Sequence, residues 1–264
     1  MKLVIFTGNS IRHKFLANKL SKQADDTLVI SEVPLENTKS KTTSSNLIDE
    51  HFNLRNKTEQ IFFEGHNTFQ ANTLTIPYKD ASSELIFLNI KSFAPDLMIV
   101  FGSSVLKGKI LSLLPSKFVN LHLGMSPYYR GSGTNFWPLV NNELEYLGST
   151  ILHIDEGIDT GDIICHVQPE IALGDTVHTI GCKIIEKSVE TLTQIIEMTK
   201  KKIVLPRTLQ WDINNSKYYK TSDFNENVLK TYYSNLENHM IEEFLKSKRN
   251  SIKTINLLKS HVNT

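Results

Sequence analysis

Two rhythms of apolar residues alternate along this chain. Residues 2 to 7 (KLVIFT) form a β-branched run that stops at Gly8 and Asn9. Ile11, Phe15, Leu16 and Leu20 then recur at helical spacing, which predicts strand, tight turn, helix. TLVIS at 27 to 31 predicts a second strand. From Glu32 to Ser45 only Val33 and Leu35 are sizeable apolar residues, which predicts a mobile loop. Helical spacing returns from Asn46 to Phe63, with Leu47, Phe52, Ile61 and Phe62 as its apolar side. SSELIFLNIKSF predicts a further helix, Pro95 breaks it, and DLMIVF up to Phe101 reads as a buried strand.

After a short helical piece beyond Gly102, the stretches FVNLHL, GSTILHID and DIICHVQ read as three more strands. Asp175 is a candidate N-cap for a long helix carrying Val177, Ile180, Ile184, Ile185, Leu192, Ile195 and Ile196. Strands alternating with helices predict an α/β fold: a Rossmann-like, mostly parallel sheet with helices on both faces. Pro206 closes this pattern. Beyond it, RTLQWDI and SKYYK around Asn214 and Asn215 predict a β-hairpin, and 227 to 246 a helix. The expected organisation is therefore a main domain at 1–205 and a small C-terminal hairpin and helix extension at 206–264. A lone two-stranded hairpin is marginal unless it packs on something, so a homodimer joined through this extension is expected.

Length and charge narrow the function. A chain of 264 residues can bury a substantial core. Its 29 Lys and Arg balance 28 Asp and Glu, so no global field draws in nucleic acid or an anionic membrane. Only two cysteines are present, the N-terminal apolar run is too short for a signal peptide, and no stretch approaches the ~20 apolar residues of a membrane span. These features predict a cytoplasmic protein, and charge by itself does not name its partner, since a local patch could still bind.

Two motif-like stretches fail on inspection. Gly102 to Lys109 has five residues between its glycines where a phosphate loop has four, and Gly8-Asn9-Ser10 lacks the later glycines of a dinucleotide fingerprint. His122, His153 and His166 lack metal-site spacing, and Cys165 and Cys182 form no C-x-x-C pair, so no metal is expected. The informative segment is 118 to 163. Asn120 and His122 stand two apart on a strand, so both side chains emerge on one face just before a Gly/Ser/Pro-rich loop. Asp155 and Asp159 lie on a downstream turn able to fold back over that edge. An amide, an imidazole and a carboxylate together can bind an oxyanion, move a proton and orient the imidazole. Taken singly, each also has a plain reading as turn residue, buried histidine and Asx-turn former.

Taken in order, Asn120, His122, Pro127, Tyr129, Arg130, Gly131, Asp155, Gly157, Asp159, Thr160 and Gly161 resemble the pattern of the folate-dependent formyltransferases. Pro95-Asp96-Leu97 leading to Gly102 is similar to that family's approach to its folate pocket. Gly124 and Ser126 depart from the family, which often has Ser and Leu there. The resemblance implies 10-formyltetrahydrofolate as co-substrate and Asn120, His122 and Asp159 as catalytic residues. It also implies folate contacts from Phe101, Gly102, Ser103, Leu106 and Asp155.

Several acceptor classes are open. A methionyl-tRNA formyltransferase-like enzyme resembles the core but carries a larger C-terminal domain, whereas here 58 residues follow Pro206; from Lys201 onward 11 basic residues face 6 acidic ones. A non-catalytic folate- or nucleotide-binding relative is another alternative. The chain is most similar to the nucleotide-linked amino sugar N-formyltransferases in length, in the SPYYRG loop and in the short tail, which implies a nucleotide-linked amino sugar as acceptor. Its diphosphate and base need cations and a flat partner. Arg12, His13, Tyr129 and Arg130 are the candidates, while Trp137 is equally a stacking or a core residue. His51, Arg55 and Glu59 share one helical face, as a solvated pairing or in a substrate role.

Overall fold

The computed structural model describes residues 1–34, 46–113, 116–213, 216–247 and 252–257. Five parallel strands, β1 (Lys2–Thr7), β2 (Asp26–Val33), β3 (Asn72–Pro77), β4 (Leu97–Phe101) and β5 (Phe118–His122), lie in the order β3-β2-β1-β4-β5. A short strand β6 (Tyr129–Gly131) then leaves the sheet. β7 (Ser149–His153) and β8 (Ile163–Val167) extend it beyond β5 in antiparallel fashion. A parallel sheet covered on both faces needs apolar residues at successive positions, and all five residues of β4 are buried.

The helices follow as α1 (Ile11–Ser21), α2 (Asn46–Phe62), α3 (Glu84–Phe93), α4 (Trp137–Val140) and α5 (Val177–Lys200). On one face Leu3 and Ile5 share a core with Leu16, Leu20 and Ile185 of α1 and α5. On the other, Val4 and Phe6 pack against Ile86 and Ile90 of α3. The α/β architecture expected from the sequence is the one observed.

Differences are local. β3 escapes the sequence pattern because it is an edge strand with only Ile76 fully buried. β2 runs on to Val33, so Glu32 belongs to a strand; residues 35–45 of the expected loop lie outside the described residues. The N-cap of α5 is Thr176, which accepts from Thr179 N at 3.3 Å, and not Asp175. Asp175 instead holds Thr179 Oγ1 at 2.8 Å and Lys183 Nζ at 2.7 Å.

The C-terminal segment does not pair with itself. Thr208 bridges Ile163 in antiparallel fashion, whereas β9 (Lys217–Tyr219) pairs in parallel with β6. The arms of the expected hairpin are thus taken up by different parts of the preceding chain, and Asn214 and Asn215 lie outside the described residues. The expected single helix is two, α6 (Glu226–Glu237) and α7 (Met240–Lys246), separated where His239 adopts a left-handed φ of 60°. Leu229, Tyr232, Met240 and Ile241 pack with Phe136, Trp137, Ile180 and Ile184. The tail is covered within its own chain, which removes the packing argument for a homodimer. Among the described residues, no helix is long and apolar enough to cross a membrane.

Candidate functional site

From β1 the chain moves outward to β2 and β3 before returning to β4, so the strand order reverses between β1 and β4. In open α/β sheets ligands bind at the carboxyl ends of strands beside such a reversal. A cavity of about 990 Å3 opens there, within the size range of small-molecule sites. Asn120 and His122 reach it from the end of β5, and Asp159 from the turn after β7.

These three side chains meet. The Asp159 carboxylate accepts from Asn120 Nδ2 at 3.2 Å and faces His122 Nδ1 at 3.2 Å. Gly131 N donates to the same carboxylate at 3.3 Å, joining it to the Gly-rich loop. Asp159 stands in the left-handed region at φ 55°, a conformation Asp and Asn tolerate better than most side chains. Its backbone is held from outside the turn, because Gln210 Nε2 donates to the carbonyls of Asp159 (2.8 Å) and Gly161 (2.9 Å). The other imidazole nitrogen, His122 Nε2, lies 3.1 Å from the Tyr129 carbonyl oxygen. A neutral ring can donate from only one of its nitrogens, so both contacts are satisfied together only when the imidazole is protonated.

One half of the cavity is apolar and rich in main chain. Phe101, Gly102, Ser103 and Leu106 line it, as do Ile154 and Ile158. Gly102 takes φ 71°, and His13 packs where its side chain would be. The N–H groups of Val105 and Leu106 have no hydrogen-bond partner among the described residues, which suits a flat heterocycle read along its edge. This wall is fixed by Glu32: its buried carboxylate accepts from Ser104 N and Ser104 Oγ, both at 2.6 Å, and from Lys79 N at 2.9 Å. Asp155 also lines this half, but its carboxylate is spent within its own turn, on Gly157 N at 3.0 Å and Thr160 Oγ1 at 2.9 Å.

The other half is polar and aromatic. Arg12 lines it, whereas His13 lines the cavity against Phe101 and Gly102. His13 supplies no cation, because burial, helped by Arg12 and Arg55, pushes its pKa down to about 3. Its Nδ1 accepts from Ser10 N at 3.2 Å. Beside Arg12, α2 presents His51, Arg55 and Glu59, and Phe136, Phe224 and Lys220 also line the cavity. The helix thus turns polar residues inward; Ile61, counted on its apolar side from the sequence, is 77% exposed.

Two of the expected substrate residues lie elsewhere. Tyr129 is core: its hydroxyl donates to Glu143 and accepts from Asn141 Nδ2 at 2.8 Å, and burial raises its pKa. Arg130 points to Ser216 Oγ at 3.3 Å and does not line the cavity. Their adjacent places in the β6 strand that pairs with β9 explain both. Trp137 borders the cavity but is 3% exposed, stacked on Tyr219 at 4.0 Å, and is therefore mainly core. Sequence reading missed Glu32, Gln210 and His178. A carboxylate ending a β-branched run was a usable signal for the first; the other two carry none. Among the described residues no group of three or more His, Cys, Asp and Glu side chains forms a metal cluster.

Fold and cavity together define an α/β protein whose cleft sits at the reversal point of its sheet. The chain belongs to the formyl transferase family, whose model matches residues 1–196. A methionyl-tRNA formyltransferase from Desulforamulus reducens is 34% identical over 110 residues, 41% of this chain and 34% of that relative. The chain thus spans about a third of the length of that curated relative. An N-formyltransferase from Helicobacter canadensis, solved with folinic acid and dTDP-3-aminofucose, superposes at a TM-score of 0.54 and 20% identity. The match covers 85% of this chain and 73% of that one. A sugar N-formyltransferase from Shewanella superposes at 0.54 and 18% identity over 99% of this chain and 85% of the other. At these identities the solved structures establish the shared fold.

Proposed function

We propose that this chain transfers a formyl group from 10-formyltetrahydrofolate to the primary amine of a nucleotide-linked amino sugar. The observation that carries this reading is one cavity that Asn120, His122 and Asp159, in mutual contact, line together with the main-chain-rich 101–106 segment and a set of polar and aromatic side chains. The residues of the first half fit a folate: an apolar wall, a glycine at positive φ and unpaired N–H groups along one edge. When bound there, the folate supplies an activated formyl carbon on a weakly basic nitrogen.

The chain's own residues do the rest. Asn120 keeps one Nδ2 hydrogen on Asp159 and presents the other where the formyl oxygen gains charge, a contact of a kind worth roughly 3 to 4 kcal/mol in other enzymes. His122, which lines the cavity, takes the proton of the attacking amine and passes it to the folate nitrogen as the bond from that nitrogen to the formyl carbon breaks and tetrahydrofolate leaves. Asp159 holds the imidazole in the tautomer this needs and balances its charge once protonated. In this reading residues 1–205 form the transfer domain, and 206–264 complete the acceptor side through Lys220, Thr221 and Phe224.

A panel of nucleotide-linked amino sugars with 10-formyltetrahydrofolate, followed by tetrahydrofolate release and by the mass of the product, tests the reading. It should show acceptor-dependent release and the gain of one formyl group. A second reading, a methionyl-tRNA formyltransferase-like activity, is favoured by the curated sequence relatives. Efficient formylation of charged initiator tRNA with none of the panel would select it.

A further inference from the structure

We propose that Arg12 and Arg55 form an oxyanion subsite in the polar half of the cavity, built to take a phosphoryl or carboxylate group of the amine-bearing molecule. The proposal rests on the reading of this half as the acceptor's place.

Three observations lead to it. The first is a charge count. Arg12 of α1 and Arg55 of α2 flank a single carboxylate, Glu59, which is 5% exposed; Arg12 Nη1 stands 3.3 Å and Arg55 Nε 3.8 Å from its Oε1. Two guanidiniums sharing one carboxylate leave, among the described residues, one positive charge without an ion-pair partner in a partly buried place, where charges act more strongly than in water. Burial and the Arg12 charge push the Arg55 pKa down to about 10, with Glu59 opposing them. The neighbouring histidines do not change the count: burial pushes His51 down to about 4 and His178 to about 3, so both rings are neutral at ordinary pH. Lys220, the further cation on this half, adds to the excess.

The second observation concerns an unused donor. Arg55 Nε is shielded from water and has no hydrogen-bond partner among the described residues, and Arg55 lines the cavity. A buried donor left unpaired costs about 1 to 3 kcal/mol, which a group that accepts would relieve. The third is orientation. The Arg55 guanidinium lies over the Phe52 ring, 4.7 Å from its centroid, which holds its planar fork in a fixed attitude. A fixed fork suits bidentate contact with an oxyanion. If Glu59 served only to neutralise a structural arginine, one guanidinium would suffice, and Arg55 would not need an aromatic platform facing open space.

The test uses the full chain and two probes, inorganic pyrophosphate and glucuronate, read by the melting temperature of wild type, Arg12→Gln and Arg55→Gln. Folinic acid serves as the control for the other half of the cavity. At least one anion should raise the wild-type midpoint, and the shift should be lost in Arg55→Gln while the folinic acid shift persists. Pyrophosphate alone identifies a diphosphate; glucuronate alone identifies a sugar carboxylate. No shift with either anion in wild type overturns the subsite whatever the variants do, as does a shift that survives both substitutions. With a working acceptor, Arg55→Gln should raise KM about 10- to 100-fold and leave kcat within a few-fold. Formylation of an amino sugar with KM unchanged in Arg55→Gln removes the subsite and keeps the proposed function. Arg55-dependent anion binding with no amino sugar formylated keeps the subsite and removes that function.

Discussion

Gln210 holds Asp159 by the backbone: its side-chain amide donates to the Asp159 carbonyl at 2.8 Å and to Gly161 at 2.9 Å. A residue beyond the main sheet thereby sets the turn that carries the carboxylate shared by Asn120 and His122. Replacing it removes two hydrogen bonds, each worth about 0.5 to 1.5 kcal/mol. Gln210→Ala should lower kcat by about tenfold while the melting temperature drops by a few degrees, and Gln210→Glu, which lacks the amide donors, should not restore it.

Glu32 is a positioning residue for the opposite wall. It holds Ser104 through both backbone and hydroxyl, and Lys79 through its N–H. Glu32→Gln presents an amide donor to one of these donors and should loosen the 102–106 segment. KM for the folate donor should rise about tenfold with kcat less affected, since a hydrogen bond to a charged group contributes about 1.5 to 3 kcal/mol. Equal loss in kcat and kcat/KM would place its role elsewhere.

Gly124 tests the packing around the imidazole. A Cβ at this position would press on His122 Nε2 and on Thr134 closer than side chains approach. Gly124→Ala should therefore displace His122, lowering turnover and costing about 1 to 3 kcal/mol of stability by overpacking. The Ser that the resembling family often carries here does not fit this chain as it is folded. A fully active Gly124→Ser protein would show that the loop repacks without disturbing His122.

Six histidines make stability depend on pH. In the unfolded chain His13 takes up its proton near 6.5, in the fold only near about 3, because burial disfavours the charged ring. Between these values the unfolded state binds more protons, so stability is complete above about pH 6.5 and falls as the pH drops through the window. His13 alone should cost about 1 to 2 kcal/mol between pH 7 and pH 5, and His51, His66, His153, His166 and His178 act in the same direction. Melting curves at these two pH values check the sign. Ring titrations by NMR check the residue: His13 should remain neutral at pH 5.

How much of this was legible before the structure depended on the kind of signal. The sheet and its flanking helices follow from apolar runs such as LVIF and LMIVF, because a parallel sheet buried on both faces has no polar face to blur the pattern. Asn120 and His122 were legible because a two-residue spacing on a strand fixes one face. Tyr129 and Arg130 misled for the opposite reason: their motif is shared, but the strand they form pairs with β9, a partner from some 90 residues away that local pattern does not announce. The inward polar face of α2 was visible as His51, Arg55 and Glu59. Only the position of the helix over a cavity decides that this face is inside.

The central claim is that Asn120, His122 and Asp159 act as one unit on the formyl group. It is tested most directly by kcat of Asn120→Ala, His122→Asn, Asp159→Asn and the triple variant, with folinic acid binding measured alongside. Asp159→Asn suits the test because Asn tolerates the φ of 55° that Asp159 adopts. Each single change should lower kcat by about 10²-fold or more. Folinic acid binding should be retained, and the triple variant should be little worse than the worst single. Near-normal turnover of the His122→Asn protein would contradict the account.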